Sequence, residues 1–288
     1  MMWQLFIVGY FIFGAASYLL RRVLAKRLSE HNRLINAIFF LFFLAPTAVI
    51  LSFFFPHDLD IGITNLLIVF GGSIIWPLLG IASFRANKDV DVGVFAIISN
   101  LSPLFTLAIA LTLLNERLSV VQFIGIGLLV VSGIVAASSH LKHNRASTQG
   151  ILFCLLSAVV LGIAVAFESF MLHRIDFGSY LLYGWGSQVF WAVALAARDF
   201  RKLPVLLRDS QTRTPLIAWG ASSSLRSVAF ISALKISGSA ALISAVTDFM
   251  SVVIVIAGYL FLHERGHMVQ KVVGAIVGVV GLLLIAGV

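Results

Sequence analysis

Ten apolar runs, each about 20 residues long, are separated by short polar breaks and make up almost the whole chain. A helix needs about 20 apolar residues to cross the hydrocarbon core of a bilayer. Of the 288 residues, 60% are hydrophobic and 11% are charged, and the mean hydropathy is +1.05. A soluble domain carries about 25% charged residues. The sequence therefore excludes a water-soluble globular domain and predicts an all-α integral membrane protein.

The predicted membrane spans fall into two sets of five. The first set is Met2–Leu20, Arg33–Phe55, Gly62–Phe84, Val92–Leu113 and Leu118–Ala137. The second set is Gly150–Leu172, Ser179–Ala197, Pro215–Leu234, Ser239–Leu262 and Met268–Val288. No Lys or Arg precedes the first run, whereas Arg21 and Arg22 follow it. This order is the reverse of a signal peptide, so we expect the first run to be retained as a span.

The two sets are copies of one unit, related by an ungapped offset of 148 residues. The clearest match is between Leu114-Asn115-Glu116-Arg117 and Leu262-His263-Glu264-Arg265, and the same offset pairs Gln122 with Gln270 and Gly72 with Gly220. We expect one five-helix repeat over residues 1–139 and a second over residues 149–288. Because five is odd, the second copy enters the membrane in the opposite sense. The predicted fold is ten transmembrane helices in two inverted five-helix repeats, which is typical of secondary transporters.

The repeated motif lies where one helix ends and the next begins. In the first copy Ser119 and Gln122 have the spacing of a capping box, in which each side chain binds the other residue's backbone amide. One interpretation is that Glu116, Arg117 and Gln122, with Glu264, Arg265 and Gln270 in the second copy, fasten a helical hairpin. The alternative is that Glu116 or Glu264 acts as a gating or coupling carboxylate.

The doubled Leu-x-Glu-Arg-x-x-x-x-Gln pattern, each copy followed by a Gly-rich helix, resembles the EamA family of the drug/metabolite transporter superfamily. Pro103 in the fourth span and Ala233-Leu234-Lys235 before the ninth also match the family's pattern. The sequence departs from it at Ser251, which stands where the first copy has Pro103. The resemblance implies a carrier for small metabolites, often an exporter. It also implies a cavity lined mainly by spans one, three, four, six, eight and nine, with spans five and ten at the periphery.

Basic residues in the loops predict how the chain is oriented. Sixteen of the 20 Lys and Arg residues fall in or beside the odd-numbered loops. Because short cytoplasmic loops carry an excess of Lys and Arg, we expect these loops inside the cell and both termini outside. The formal charge of +8 indicates basic loops against anionic lipid, and it predicts no nucleic-acid partner. We expect a multi-pass protein of the plasma membrane, which in bacteria is the inner membrane.

Three ionisable residues, Glu168, Arg226 and Asp248, lie inside predicted spans, where charge is costly and is commonly functional. Arg226 and Asp248 are roughly 17 Å and 14 Å into consecutive antiparallel spans. They form either a permanent ion pair or a substrate site, in which Arg226 binds a carboxylate or phosphate. Glu168 either extends to the outer interface or, like Asp248, accepts an ammonium group or a coupling proton.

In the first copy polar residues replace these charges. Asn100 is the repeat partner of Asp248, and Pro46, Pro77 and Pro103 are each able to kink their helices. Trp76, near the middle of the third span, is interpreted either as packing or as a cavity wall for an apolar group. Trp219, near a span end, is predicted to be an interface anchor.

The functional prediction is a secondary active transporter that works as an exporter of a small polar or zwitterionic metabolite such as an amino acid. Alternating access between the two halves would move the substrate, and a proton is considered as the coupling ion. The resemblance equally allows an organic-anion or sugar-phosphate exchanger or a lipid-carrier flippase. A channel or a structural membrane protein is a further alternative. We expect no enzyme activity, because the few intramembrane ionisable residues supply no nucleophile with its base. No cofactor or metal is expected.

Overall fold

The computed structural model describes residues 2–102, 104–105, 109, 119–141, 148–237, 247, 249–263 and 268–286. These residues form helices, and they contain no β-strand. The long helices of the first half are α1 (Met2–Arg27), α2 (Asn32–Ser52), α3 (Ile63–Asp89), α4 (Val92–Ser99) and α5 (Val120–Leu141). Those of the second half are α6 (Thr148–Leu172), α7 (177–196), α8 (Ser210–Ser237), α9 (Met250–Phe261) and α10 (Met268–Ala286).

Four helices are long and apolar enough to cross a membrane by length and composition: Trp3–Arg27, Asn32–Ser52, Ile63–Asp89 and Thr148–Leu172. Shorter apolar helices are Phe123–Ser132, Met250–Phe261 and Met268–Gly281. Large apolar side chains cover much of the exterior; Phe53, Leu5, Val120 and Val269 are each more than 70% exposed. Such a surface suits a hydrocarbon solvent, because soluble proteins rarely leave large contiguous apolar patches in water.

Two of the predicted proline distortions are present. In α3 the helix is interrupted at Ser73 and Ile74, directly before Pro77, whose ring clashes with the carbonyl of the residue four positions earlier. In α2 a π-helical turn, Phe40–Leu44, precedes Pro46. Pro103 lies outside the described residues.

The helices pack in pairs that join the two halves. α1 packs along α8, α3 along α6, α2 against α7, α4 against α9 and α5 along α10. Glycines allow the last pair to approach closely, since a Cβ on Gly281 would lie 2.7 Å from the Gly125 carbonyl oxygen. The Gly-rich face of α10 therefore packs within the bundle.

Polar contacts mark the two ends of the bundle. At one end, called the basic end below, Asp91 between α3 and α4 binds Arg22 of α1 and Lys271 of α10. The Arg27 guanidinium donates to the Gln211 carbonyl at the start of α8. At the far end Ser179 of α7 exchanges hydrogen bonds of 2.8 and 2.9 Å with the backbone of Asp58. The α1–α2, α3–α4 and α7–α8 connections and the start of α10 thus lie at the basic end.

Candidate functional site

Arg226 lies on α8, is partly buried and faces α1. Its Cζ atom is 5.4 Å from the centre of the Tyr18 ring, which is within cation–π range. A Cβ on Gly14, one turn earlier on α1, would lie 3.4 Å from the Arg226 Cδ atom and would collide with Met250 of α9. A glycine at position 14 therefore leaves room for the Met250 side chain, with Arg226 in ordinary contact beside it.

A second arginine that the sequence did not single out, Arg21, lies beside it. Its Cζ atom is 5.6 Å from the centre of the Tyr18 ring and 5.8 Å from the rings of Phe84 and Trp219. The Arg21 Nε atom is buried and has no hydrogen-bond partner among the described residues. The first predicted span ends at Leu20, which places Arg21 in a loop. In the structure, α1 continues to Arg27 and includes Arg21. The apolar Val23-Leu24-Ala25 that follows was the signal for this extension.

The Arg21 and Arg226 guanidinium groups are close enough to repel each other. In the described part of the chain, the salt bridges involve Arg22, Lys202 and Lys271, but neither Arg21 nor Arg226. Two unit charges 4 Å apart interact by about 4 kcal/mol at an effective dielectric constant of 20. Two cations that have no counterion among the described residues therefore favour a nearby anion. Asp248, the sequence-predicted partner of Arg226, lies outside the described residues, so that pair stays a prediction.

Trp219 is not an interface anchor, and that prediction was wrong. Its side chain is 1% exposed and packs edge-on against Phe84 with ring centres 5.0 Å apart. The Trp219 Nε1 atom is also buried without a hydrogen-bond partner among the described residues. α8 begins at Ser210, five residues before the predicted span, so Trp219 lies deeper along the helix than its position in the predicted span suggested.

Hydroxyl pairs connect the helices around these arginines. Ser17 of α1 and Ser223 of α8 are joined by a 2.7 Å hydrogen bond, and Thr47 of α2 and Ser224 of α8 by another of 2.7 Å. Because each hydroxyl already has a partner, these residues fasten α8 to the first half. Among the described residues, the Arg21 and Arg226 guanidinium groups are then the polar groups of this interface that have no counterion.

Glu168 occupies a second buried position, on α6. It is 8% exposed, so it does not extend to the outer interface. Its carboxyl group is close enough to the Tyr180 hydroxyl of α7 for an electrostatic interaction. The Tyr180 hydroxyl is buried, and no hydrogen bond of normal geometry joins it to another described residue. The preceding residue, Phe167, fills the space beside Gly72 of α3, where a Cβ would collide with the Phe167 ring. Glu168 thus lies at the contact of α6 with α7, and the neighbouring Phe167 packs on α3.

Trp76 packs against the same apolar cluster as Tyr180, which is formed by α2, α3, α6 and α7. Its Nε1 atom is buried and has no hydrogen-bond partner in the described part of the chain. The structure therefore brings Trp76 and Glu168 to one cluster and leaves Arg226 at another interface.

Asn100 lies apart from both. It ends α4, is 5% exposed and donates a 2.9 Å hydrogen bond from Nδ2 to the Ser251 hydroxyl of α9. A Cβ on Gly278 of α10 would lie 3.3 Å from the same nitrogen. Asn100 thus forms a polar contact among α4, α9 and α10.

The basic end holds a compact charge cluster formed by three separate segments of the chain. Lys271 Nζ lies 2.7 Å from Asp91 Oδ2, and Arg22 Nη2 lies 3.5 Å from Asp91 Oδ1. Arg22 also donates to the Asn87 carbonyl. The Arg22 and Lys271 side chains are 6% and 4% exposed, whereas Asp91 is 26% exposed. One carboxylate therefore joins α1, α10 and the α3–α4 connection.

Much of the repeated motif cannot be placed in this geometry. Glu116, Arg117, Glu264 and Arg265 lie outside the described residues, as does the Gln122 side chain. α5 begins at Val120, and the Phe123 amide donates to the Ser119 carbonyl oxygen at 3.1 Å. The Gln270 Oε1 atom is buried without a hydrogen-bond partner among the described residues. The capping-box interpretation stays a prediction.

A cavity of about 330 Å³ lies at the basic end, between the α1–α2 connection and the short helix Leu203–Arg208. Its walls include Leu28, His31, Lys202, Leu206, Asp209 and Thr212. In the portion of the chain that the structure describes, no group of three His, Cys, Asp or Glu residues is placed to hold a metal ion.

An all-helical chain with several membrane-length apolar helices, and with charged side chains inside the bundle, defines a polytopic membrane protein. Residues 1–138 match the EamA-like transporter family, which belongs to the drug/metabolite transporter superfamily. The resemblance that the motifs indicated is confirmed over these residues. No curated protein matches the chain.

Proposed function

We propose that the protein is a secondary active transporter that exports a small polar or zwitterionic metabolite, such as an amino acid, by alternating access. One observation carries this proposal: Glu168 and Arg226 are held inside the bundle on second-half helices that pack directly against first-half helices. Transporters built from repeats bind substrate between their halves. Glu168, and Asp248 if it faces the same space, would accept an ammonium group or a coupling proton, and Arg226 would bind a carboxylate.

The proposal includes ten spans in two inverted repeats, residues 1–139 and 149–288. The pattern of helix contacts supports it. Shifting every helix by five positions maps the α1–α8 contact onto α6–α3, and it maps α2–α7, α4–α9 and α5–α10 onto themselves. The second helix of each proposed repeat also contains a π-helical turn, at Phe40–Leu44 and Leu181–Trp185. The family match, which ends at residue 138, is consistent with the first unit.

The proposed orientation in the plasma membrane places the basic end in the cytoplasm and both termini outside. Contacts among Arg22, Asp91 and Lys271, and between Arg27 and Gln211, bring the α1–α2, α3–α4 and α7–α8 connections and the start of α10 to one end, which supports a common side for the predicted odd-numbered loops. A terminal tag on intact cells would test this. It should be labelled by an impermeant reagent, and labelling only after permeabilisation would overturn the orientation.

An organic-anion exchanger is a second candidate, and Arg21 is the observation that favours it. Arg226 alone would match one carboxylate, whereas two adjacent guanidinium groups match an anion that carries more charge, such as a phosphate ester or a dicarboxylate.

Reconstituted proteoliposomes test the carrier proposal. Wild-type protein should take up a labelled member of a panel of amino acids, dicarboxylates and phosphate esters in a saturable way, with counterflow on preloading. Glu168→Gln and Asp248→Asn should reduce uptake at least tenfold, because each removes an intramembrane charge. Glu30→Gln, in the exposed α1–α2 connection, is the matched control and should retain wild-type uptake. Uptake that rises linearly with concentration and shows no counterflow would identify a channel instead.

A further inference from the structure

We infer that Arg21 and Arg226 together bind the oxyanion group, a carboxylate or a phosphate, of the transported substrate, beside the Tyr18 ring that both arginines contact. The inference deepens the proposed function, because it names the chemistry of the substrate group that the carrier recognises. Nothing in the sequence assigned Arg21 to this site, since it had been placed in a loop.

The geometry shows that both guanidinium groups share one ring. Arg21 Cζ and Arg226 Cζ lie 5.6 Å and 5.4 Å from the centre of the Tyr18 ring. Arg21 comes from α1 and Arg226 from α8, so the site spans the interface between the first and second halves. A site that spans this interface changes shape when the halves move against each other, as alternating access requires.

The hydrogen-bonding state of Arg21 indicates an absent acceptor. Aromatic faces attract the charge of a guanidinium group, but they do not replace acceptors for its N–H groups. The Arg21 Nε atom is buried and has no acceptor among the described residues. A buried N–H without an acceptor is destabilising, and an oxyanion is the acceptor that an arginine binds best.

Arg22, the residue next to Arg21, has a carboxylate partner within the fold, which is the arrangement expected of a structural arginine. Arg22 contacts Asp91 and the Asn87 carbonyl, so the fold itself provides this arginine with a counterion and an acceptor. Within the described residues Arg21 and Arg226 have no such contact, although they repel each other. The Arg226 side chain is partly exposed.

The number of charges indicates which oxyanion binds best. Two guanidinium groups in fork geometry complement a group with about two negative charges better than a single carboxylate. We therefore expect inorganic phosphate and succinate to bind more tightly than the zwitterion leucine. Tight leucine binding with the same dependence on both arginines would identify a carboxylate site for an amino acid.

The test is a binding titration of the purified full-length protein in detergent at constant ionic strength. Inorganic phosphate, succinate and leucine are added separately, and tryptophan fluorescence is recorded, because Trp219 lies 5.8 Å from Arg21. Trp219→Phe identifies the part of the signal that comes from this site. Wild-type protein should show saturable binding of at least one probe. Arg21→Gln and Arg226→Gln should each weaken it at least tenfold.

Arg85→Gln is the matched control. Arg85 also lies over an aromatic ring, that of Phe153 at 5.3 Å, but it is exposed, so its substitution should change affinity less than twofold. Arg21→Lys and Arg226→Lys cover the case in which a Gln variant does not fold. They keep the charge but lose the fork, and they should weaken binding about threefold or more.

Equal affinity in wild type and the Arg21 and Arg226 variants, or no saturable binding of any probe, would overturn the anion site. The outcomes also separate the site from the carrier proposal. Anion binding that depends on both arginines, without uptake in proteoliposomes, would remove the carrier and leave the site. Saturable uptake unaffected by either substitution would remove the site and leave the carrier.

Discussion

Arg21 and Arg22 are adjacent in the sequence, yet the fold buries them in opposite electrostatic settings. Arg22 shares the Asp91 carboxylate with Lys271, and this cluster joins three segments at the basic end. Arg21 lies over three aromatic rings beside a second cation, Arg226, and none of the described carboxylates forms a salt bridge with either. The comparison teaches that buried charge has two uses here. One cluster contains its own carboxylate and is structural, whereas the other has no carboxylate partner among the described residues.

Removing the shared carboxylate should have the largest effect. Asp91→Asn leaves Arg22 and Lys271 buried without their counterion, and we expect a loss of about 3 kcal/mol of unfolding free energy in detergent. Asp199→Asn is a matched control: the Asp199 side chain is 25% exposed, close to the 26% of Asp91, but its partner Lys202 is 55% exposed. The control should cost less than about 1 kcal/mol. Equal losses would show that the cluster is no stronger than a surface pair.

Substituting Arg22 and Arg21 one at a time should change the free energy of unfolding by different amounts. Arg22→Met removes charge-assisted contacts to Asp91 and Asn87 and should cost about 2 kcal/mol. Arg21→Met loses cation–π contacts but relieves repulsion and a buried unpaired N–H, so stability should change by less than about 1 kcal/mol. Chemical denaturation of both variants without added oxyanion measures the difference. A reversed order would show that Arg21 is the structural residue.

The Tyr18 ring, which both Arg21 and Arg226 contact, should contribute a smaller amount to the free energy of unfolding. Tyr18→Leu removes the aromatic face from both Arg21 and Arg226 and should cost about 1 kcal/mol, measured by the same unfolding experiment. Tyr18→Phe keeps the ring and should stay within about 0.5 kcal/mol of wild type. A large effect of Tyr18→Phe would mean that the hydroxyl, and not the ring, is what matters.

The smallest expected effect concerns the start of α8, the helix that carries Arg226. Asp209 accepts hydrogen bonds from the Thr212 hydroxyl at 2.7 Å and from the Gln211 amide at 3.1 Å. These bonds hold the pKa of Asp209 below its ordinary value. A lowered pKa in the folded state stabilises the helix end above the unfolded pKa of about 3.9, and the benefit is lost as the pH falls through the folded value.

Amide hydrogen exchange at residues 211–213 measures this effect. Protection should fall on acidification in the wild type and should be pH-independent over the same range in Asp209→Asn. Protection in the wild type that does not change with pH would exclude the Asp209 carboxylate as the cause.

Sequence patterns predicted the parts of the fold that depend on local chemistry. The apolar runs locate the helices, and Pro77 predicted the interruption of α3, because a proline ring excludes the preceding helical geometry wherever the chain lies. Arg21 and Trp219 were misplaced for one reason: both span ends were set by polar residues, and the helices extend beyond them to Arg27 and back to Ser210. The long side chains of Arg21 and Trp219 point into the bundle. The hydropathy of a sequence segment does not show in which direction a side chain points.

The sequence by itself determined the class of the protein, because an apolar content of 60% can be covered only by lipid, and its motifs indicated the family that residues 1–138 match. Only the tertiary structure decided which charges meet. Arg21 and Arg226 are 205 positions apart, and Asp91 and Lys271 are 180 apart. Whether a buried cation is neutralised depends on groups that packing brings within a few ångströms, and no periodicity along the chain records that distance.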